Sequence, residues 1–111
     1  EKGVDEVAER IQGVDVAMLG NIYLDGKVQS RSVFFADGSR KTLGVMLPGE
    51  YFFDVGDREV MEITTGAFEV QLPGETAWKP FPAGTSFELP PNTKYGIRCA
   101  EISQYLCSYY K

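Results

Sequence analysis

A chain of 111 residues and 12.3 kDa is the size of one ordinary domain, about 100 to 150 residues, so a single domain with no second catalytic domain is expected. Hydrophobic residues make up 43% and charged residues 24% of it, enough apolar volume for a core and the charge content of a soluble protein, so bulk disorder is excluded. Sixteen Asp and Glu against eleven Lys and Arg, a net charge of -5, give no general attraction to polyphosphate, and nucleic acid is not an expected partner.

The first stretch, Gly3 to Gln12, reads as a short helix. Val4, Val7, Ala8 and Ile11 recur at helical spacing while Asp5, Glu6, Glu9 and Arg10 face away, and Gly13 stops it. So short a helix has to dock on something to persist. Residues 1–20 are therefore expected to form an N-terminal extension, and residues 21–111 the main body. From Asn21 the period changes to two, and turn residues arrive every ten residues or so, as in a sandwich or barrel. Lys27 to Ala36 and Arg40 to Leu47 flank Asp37-Gly38, a dipeptide that tolerates the positive φ of tight hairpin turns. Pro48-Gly49 leads into Glu50 to Val55, Gly56-Asp57 into Glu59 to Thr65, and Gly66 into Ala67 to Leu72. Pro73-Gly74 opens the longest loop, before Trp78 to Phe81, Thr85 to Leu89, Tyr95 to Ala100 and Ser103 to Tyr110. These are about nine strands with no long helix between them, which excludes a parallel sheet. An antiparallel set of this number curls to hide its edges, so the expected architecture is all-β, a small jelly roll or barrel.

The chain contains no His. Ser-His-Asp and Cys-His catalysis are excluded, and a metal site would have to rely on carboxylates and two Cys with no close-spaced partner, so no metal and no cofactor is expected. Cys99 and Cys107 lie in alternating apolar runs, the setting of buried free thiols, which points to a reducing cytoplasm. No apolar run reaches the roughly 20 residues of a membrane span, and the first residues are acidic rather than basic, so neither anchor nor secretion signal is expected.

Glu59 is followed by six residues and then Gly66, a strand, a Pro-Gly loop, Gly84, Pro90 and Tyr95. This order resembles the two motifs of the cupin superfamily, with Glu59 at the glutamate position and Tyr95 at the last histidine position. The remaining two histidine positions fall on Phe52 and Asp54, or with shorter spacing on Phe53 and Val55, so no metal triad survives. The block Gly44-Val45-Met46, Gly49-Glu50-Tyr51, Gly66-Ala67, Leu72-Pro73, Trp78, Gly84 and Tyr105-Leu106-Cys107 resembles, in its joint order, the small metal-free cupins of the pyrimidine/purine nucleoside phosphorylase family. The similarity runs from about Asn21 to Tyr110. It implies a cupin-type jelly-roll barrel that cleaves purine and pyrimidine nucleosides with inorganic phosphate, giving free base and pentose 1-phosphate. Two rival readings remain: a metal-free sugar-nucleotide epimerase-type cupin, which relies on a histidine base this chain lacks, and a noncatalytic small-molecule-binding or dimeric interaction cupin.

Phosphorolysis sets requirements that the residues can be matched against. Charge building on the sugar ring calls for a carboxylate, and the phosphate calls for a cation, preferably the bidentate fork of Arg. Arg40, at the start of the strand entering Gly44-Val45-Met46, is the first choice for phosphate; its bland alternative is solvation beside a hairpin turn. Arg31, Lys94 and Arg98 are weaker. Glu59 is the best acid or base, because alternation points it inward with Met61 and Ile63, where a lone carboxylate is costly; otherwise it is a solvated strand-start residue. Asp54 joins it only on the longer spacing. Tyr95 and Tyr105 are candidates for binding the nucleoside; the C-terminal run Tyr105, Tyr109 and Tyr110 offers rings to stack a base, the alternative being core or interface, and alternation puts Arg98 on the face opposite Tyr95. Trp78 is expected to anchor its loop to the barrel. Both faces of Glu50 to Val55 look apolar, with Tyr51, Phe53 and Val55 on one of them, and a lone barrel covers one face, so a homodimer is expected.

Overall fold

The computed structural model describes residues 10–111. The expected helix over Gly3 to Gln12 falls almost wholly outside the described residues, and residues 10–14 carry no regular element. Beyond them the chain folds into eleven antiparallel strands: β1 (Asp15–Val16), β2 (Asn21–Tyr23), β3 (Val28–Phe34), β4 (Arg40–Met46), β5 (Gly49–Val55), β6 (Arg58–Thr65), β7 (Ala67–Gln71), β8 (Lys79–Pro82), β9 (Ser86–Leu89), β10 (Thr93–Cys99) and β11 (Ser103–Tyr110). The nine strands expected between Lys27 and Tyr110 are all present. β1 and β2 come in addition, and β1, within the stretch read as an extension, is hydrogen-bonded to β3.

The strands form two sheets facing one another. The larger runs β1-β3-β4-β11-β6-β9, with β2 also paired to β3, and the smaller runs β5-β10-β7-β8. Pro80 and Pro82, which cannot donate to a ladder, sit on the edge strand β8. At the β3–β4 turn, Gly38 takes φ 89°, and the Asp37 carboxylate accepts from the Ser39 amide at 2.8 Å and the Ser39 hydroxyl at 2.6 Å. Inward-facing residues of the two sheets make the core. Val28, Met46, Met61, Ile63 and Cys107 come from the larger sheet, against Phe68, Val70 and Ile97 from the smaller. Both Cys are free and buried, as their setting implied.

Strand β5 resolves the two registers left open by the motif. Tyr51 and Val55 are buried and Phe53 half-buried, while Glu50, Phe52 and Asp54 are exposed. The shorter spacing is therefore the one realised, and Phe53 and Val55, not Phe52 and Asp54, face inward. The Tyr51 face is covered within the chain, so the apolar face expected to be left uncovered reduces to Phe52, whose ring stacks edge-on against Trp78 at 6.2 Å. Trp78 in turn underlies the Arg98 guanidinium at 4.2 Å and holds its loop to the sheet, as expected.

Candidate active site

A cavity of about 180 Å³ opens between the sheets at one end of the barrel. Strand β6 supplies Glu59 and Met61, and β11 supplies Tyr105, Cys107 and Tyr109. These two strands are neighbours in the sheet, with Tyr109 directly across from Glu59 and Cys107 across from Met61. Val28, Ser30 and Met46 continue the same wall, and Tyr23, Phe53, Asp54 and Tyr95 close the cavity from the other side and its mouth. Tyr105 can lie where it does because Gly44 sits beneath it, where any Cβ would overlap its ring.

Glu59 is half-buried, and its carboxyl is held above its ordinary value near 4.5 chiefly because burial disfavours the charged form. Two neighbours act in the opposite direction. The Cys107 thiol donates to Glu59 Oε1 at 3.5 Å, and the positive charge of Arg40 favours the carboxylate. Cys107 itself is pushed up to about 12, first by burial and then by the negative charge of Glu59, so it is a thiol and no nucleophile. Burial, with the negative charge of Glu59 adding to it, likewise keeps the hydroxyls of Tyr95, Tyr105 and Tyr109 protonated. Tyr109 shares a hydrogen bond of 3.0 Å with the Thr42 hydroxyl. Arg40 stands exposed beside this group, its guanidinium 4.2 Å from the centre of the Tyr109 ring and its Nη1 donating to Ser32 Oγ at 3.4 Å.

Four of the five candidates, Glu59, Arg40, Tyr95 and Tyr105, thus gather in or beside one cavity. Asp54 reaches only the mouth. It lies on the outer side of β5, its side chain 82% exposed and 3.8 Å from Lys94. Arg98 is on the far face of β10 from Tyr95, paired with Glu69 at 2.8 Å and Glu50 at 3.4 Å, and Arg31 is spent on the carbonyls of Ala17 and Met18. Cys107, Thr42 and Tyr23 were not singled out from the sequence as site residues. Alternation from Tyr105 does place Cys107 and Tyr109 on its face; their meeting with Glu59 depends on the β6–β11 pairing.

A second hollow of about 280 Å³ adjoins the cavity across Phe53, Asp54 and Tyr95, and is completed by Phe52, Gln71, Leu72, Gly74, Glu75 and Lys94. The arrangement offers a partly buried carboxylate, neutral hydroxyl donors, aromatic walls and one cation outside. That set suits a substrate that develops positive charge while an anion approaches from the rim.

Comparison with known proteins gives the same direction. Residues 18–109 match the family model of pyrimidine/purine nucleoside phosphorylase. Proteins of that name from Syntrophotalea carbinolica and Hydrogenovibrio crunogenus are 49% and 50% identical over 100 residues, covering 90% of this chain and 96% of each relative. Among solved structures, a protein of unknown function from Acinetobacter sp. ADP1 superposes with a TM-score of 0.89 at 35% identity, covering 91% of this chain and 98% of that one. An RmlC-like cupin from Shewanella frigidimarina, 18% identical, superposes with a TM-score of 0.66 over 95% of this chain and 90% of its own, which establishes the cupin fold. The chain belongs to the pyrimidine/purine nucleoside phosphorylase family.

Proposed function

We propose that this protein is a nucleoside phosphorylase, a pentosyltransferase that converts purine and pyrimidine nucleosides and inorganic phosphate to free base and pentose 1-phosphate. The observation that carries the reading is the half-buried Glu59 carboxyl in an aromatic cavity with Arg40 at its rim, in a chain of this family. In the reaction a phosphate oxygen forms a bond to the anomeric carbon as the glycosidic C–N bond breaks, and the bonding pair leaves with the base nitrogen. Glu59, as the carboxylate, stabilises the charge that builds on the sugar ring. Arg40 holds phosphate in line. Tyr95 donates a hydrogen bond to the departing base, whose proton is supplied from solvent or through that hydroxyl, and Tyr105 provides an aromatic face to the nucleoside. Asp54, tethered to Lys94 at the mouth, meets substrate in passing and takes no part in the chemistry.

The same reading includes a homodimer and a cytoplasmic setting. Its support is the exposed apolar run Val16, Met18, Leu19 and Ile22, and the two free, buried thiols. Among the described residues no helix is long and apolar enough to cross a membrane.

The test is incubation of the chelator-treated protein with uridine or inosine. Free base and pentose 1-phosphate are expected to accumulate only when phosphate is added. Cleavage that is lost with chelation and returns with added metal contradicts the metal-free mechanism, and cleavage independent of phosphate contradicts phosphorolysis.

A further inference from the structure

We propose that the cavity is a cation site which receives the pentose ring of the nucleoside, while the base lies in the adjoining hollow and the phosphate stays outside at Arg40. This rests on the phosphorylase reading and fixes how the substrate lies.

The walls argue for it first. Tyr23, Phe53, Tyr95, Tyr105 and Tyr109 place five aromatic rings around one small space, and aromatic rings attract cations through their electron-rich faces. One of these rings already serves a cation, since the Arg40 guanidinium lies over Tyr109. The charges argue for it second. The charged residues that line the cavity among the described ones are Glu59 and Asp54; no Lys or Arg lines it. An anion such as phosphate has no counter-charge within, and the Glu59 carboxylate opposes its entry, Asp54 being at the mouth beside Lys94, so it is confined to the rim where Arg40 stands. A ring that becomes positive as the C–N bond breaks meets the opposite situation.

Size is the third argument. A cavity of about 180 Å³ is below the roughly 300 to 1,000 Å³ of sites that enclose a whole small-molecule ligand. It accommodates a five-membered sugar ring and leaves no room for base and phosphate as well. The neighbouring hollow of about 280 Å³ shares Phe53, Asp54 and Tyr95 with it, so a base attached to a ring in the cavity passes directly between these residues into the second space. There it lies beside the Phe52 and Phe53 rings and Gln71.

The probes are 1,4-dideoxy-1,4-imino-D-ribitol, whose ring nitrogen is protonated at neutral pH, and its neutral counterpart 1,4-anhydro-D-ribitol, of nearly the same shape. Calorimetry on the full chain is expected to show the imino compound binding at least tenfold more tightly. The preference is expected to collapse in Glu59→Gln and in Tyr105→Leu, and to persist in Tyr105→Phe, which keeps the ring. Equal binding of the two compounds, or binding of neither, in a protein that does carry out phosphorolysis overturns the cation site and leaves the proposed function standing. A preference that survives both Glu59→Gln and Tyr105→Leu overturns its placement in this cavity. If the imino compound is preferred but no nucleoside is cleaved, the cation site stands and the phosphorylase reading falls.

Discussion

Glu59 concentrates both the chemistry and its cost. Burying a carboxyl beside Met61 and Tyr109 raises its protonation point above the ordinary 4.5, burial being the largest cause, so the fold favours the uncharged form. The resulting contribution to stability is full below the unfolded value near 4.5 and is lost as pH rises through the higher folded value. Glu59→Gln removes that loss, and its melting temperature is expected to exceed the wild type's at pH 7 by a margin that shrinks by pH 4; a lower melting temperature for the variant at pH 7 contradicts it. Activity runs the other way, because the ionised carboxylate is the working form: kcat/KM is expected to fall on acidification through the same raised value and the variant to lose that limb of the profile. Asp54→Asn, at an exposed position, is expected to change kcat less than threefold. Glu59 was legible in the sequence because strand alternation alone points it inward. Asp54 was not, since its face hinged on a one-residue choice of motif spacing, and a one-residue shift exchanges the two faces of a strand.

The site is a product of strand pairing. Strand β11 carries Tyr105, Cys107 and Tyr109 on its inner face, and its pairing with β6 puts Tyr109 opposite Glu59. On its other side β11 pairs with β4, setting Tyr105 against Gly44. Gly44→Ala is expected to displace the Tyr105 ring into the cavity, costing about 1 to 3 kcal/mol of stability as overpacking and raising the KM for nucleoside; denaturant titration and kinetics measure the two, and an unchanged variant shows that the ring has room to move. The nine strands from β3 to β11 were visible because each is long enough for a period of two to emerge between Gly, Pro or Asp turns. β1 and β2, with two and three residues, offer too few positions for any period. Cys107 and Thr42 escaped notice as site residues for a different reason. Their roles depend on contacts between strands far apart in the chain, which local pattern does not carry.

At the scale of the molecule, closure into two facing sheets leaves most apolar side chains inside and a few conspicuously outside. Met18 is 90% exposed and Leu19 85%, beside Val16 and Ile22, and this patch takes the place of the Tyr51 face as the ground for the proposed homodimer. Light scattering at micromolar concentration is expected to report a dimer, and Met18→Glu with Leu19→Glu a monomer; a wild-type monomer contradicts the assembly. The jelly roll and the missing histidine chemistry could be read from periodicity and composition, whereas the cavity and, among the described residues, its five aromatic rings and its lack of a lining cation emerge only when the sheets meet. The division of labour between interior and rim is the central claim, and steady-state kinetics with phosphate and uridine varied independently test it most directly. The account predicts that Arg40→Ala raises the KM for phosphate about 10- to 100-fold, the equivalent of one lost charged hydrogen bond of roughly 1.5 to 3 kcal/mol, with little change in the KM for uridine. It predicts that Glu59→Gln lowers kcat at least 100-fold with the KM for phosphate nearly unchanged. Unaltered phosphate dependence in Arg40→Ala, or full kcat in Glu59→Gln, contradicts it.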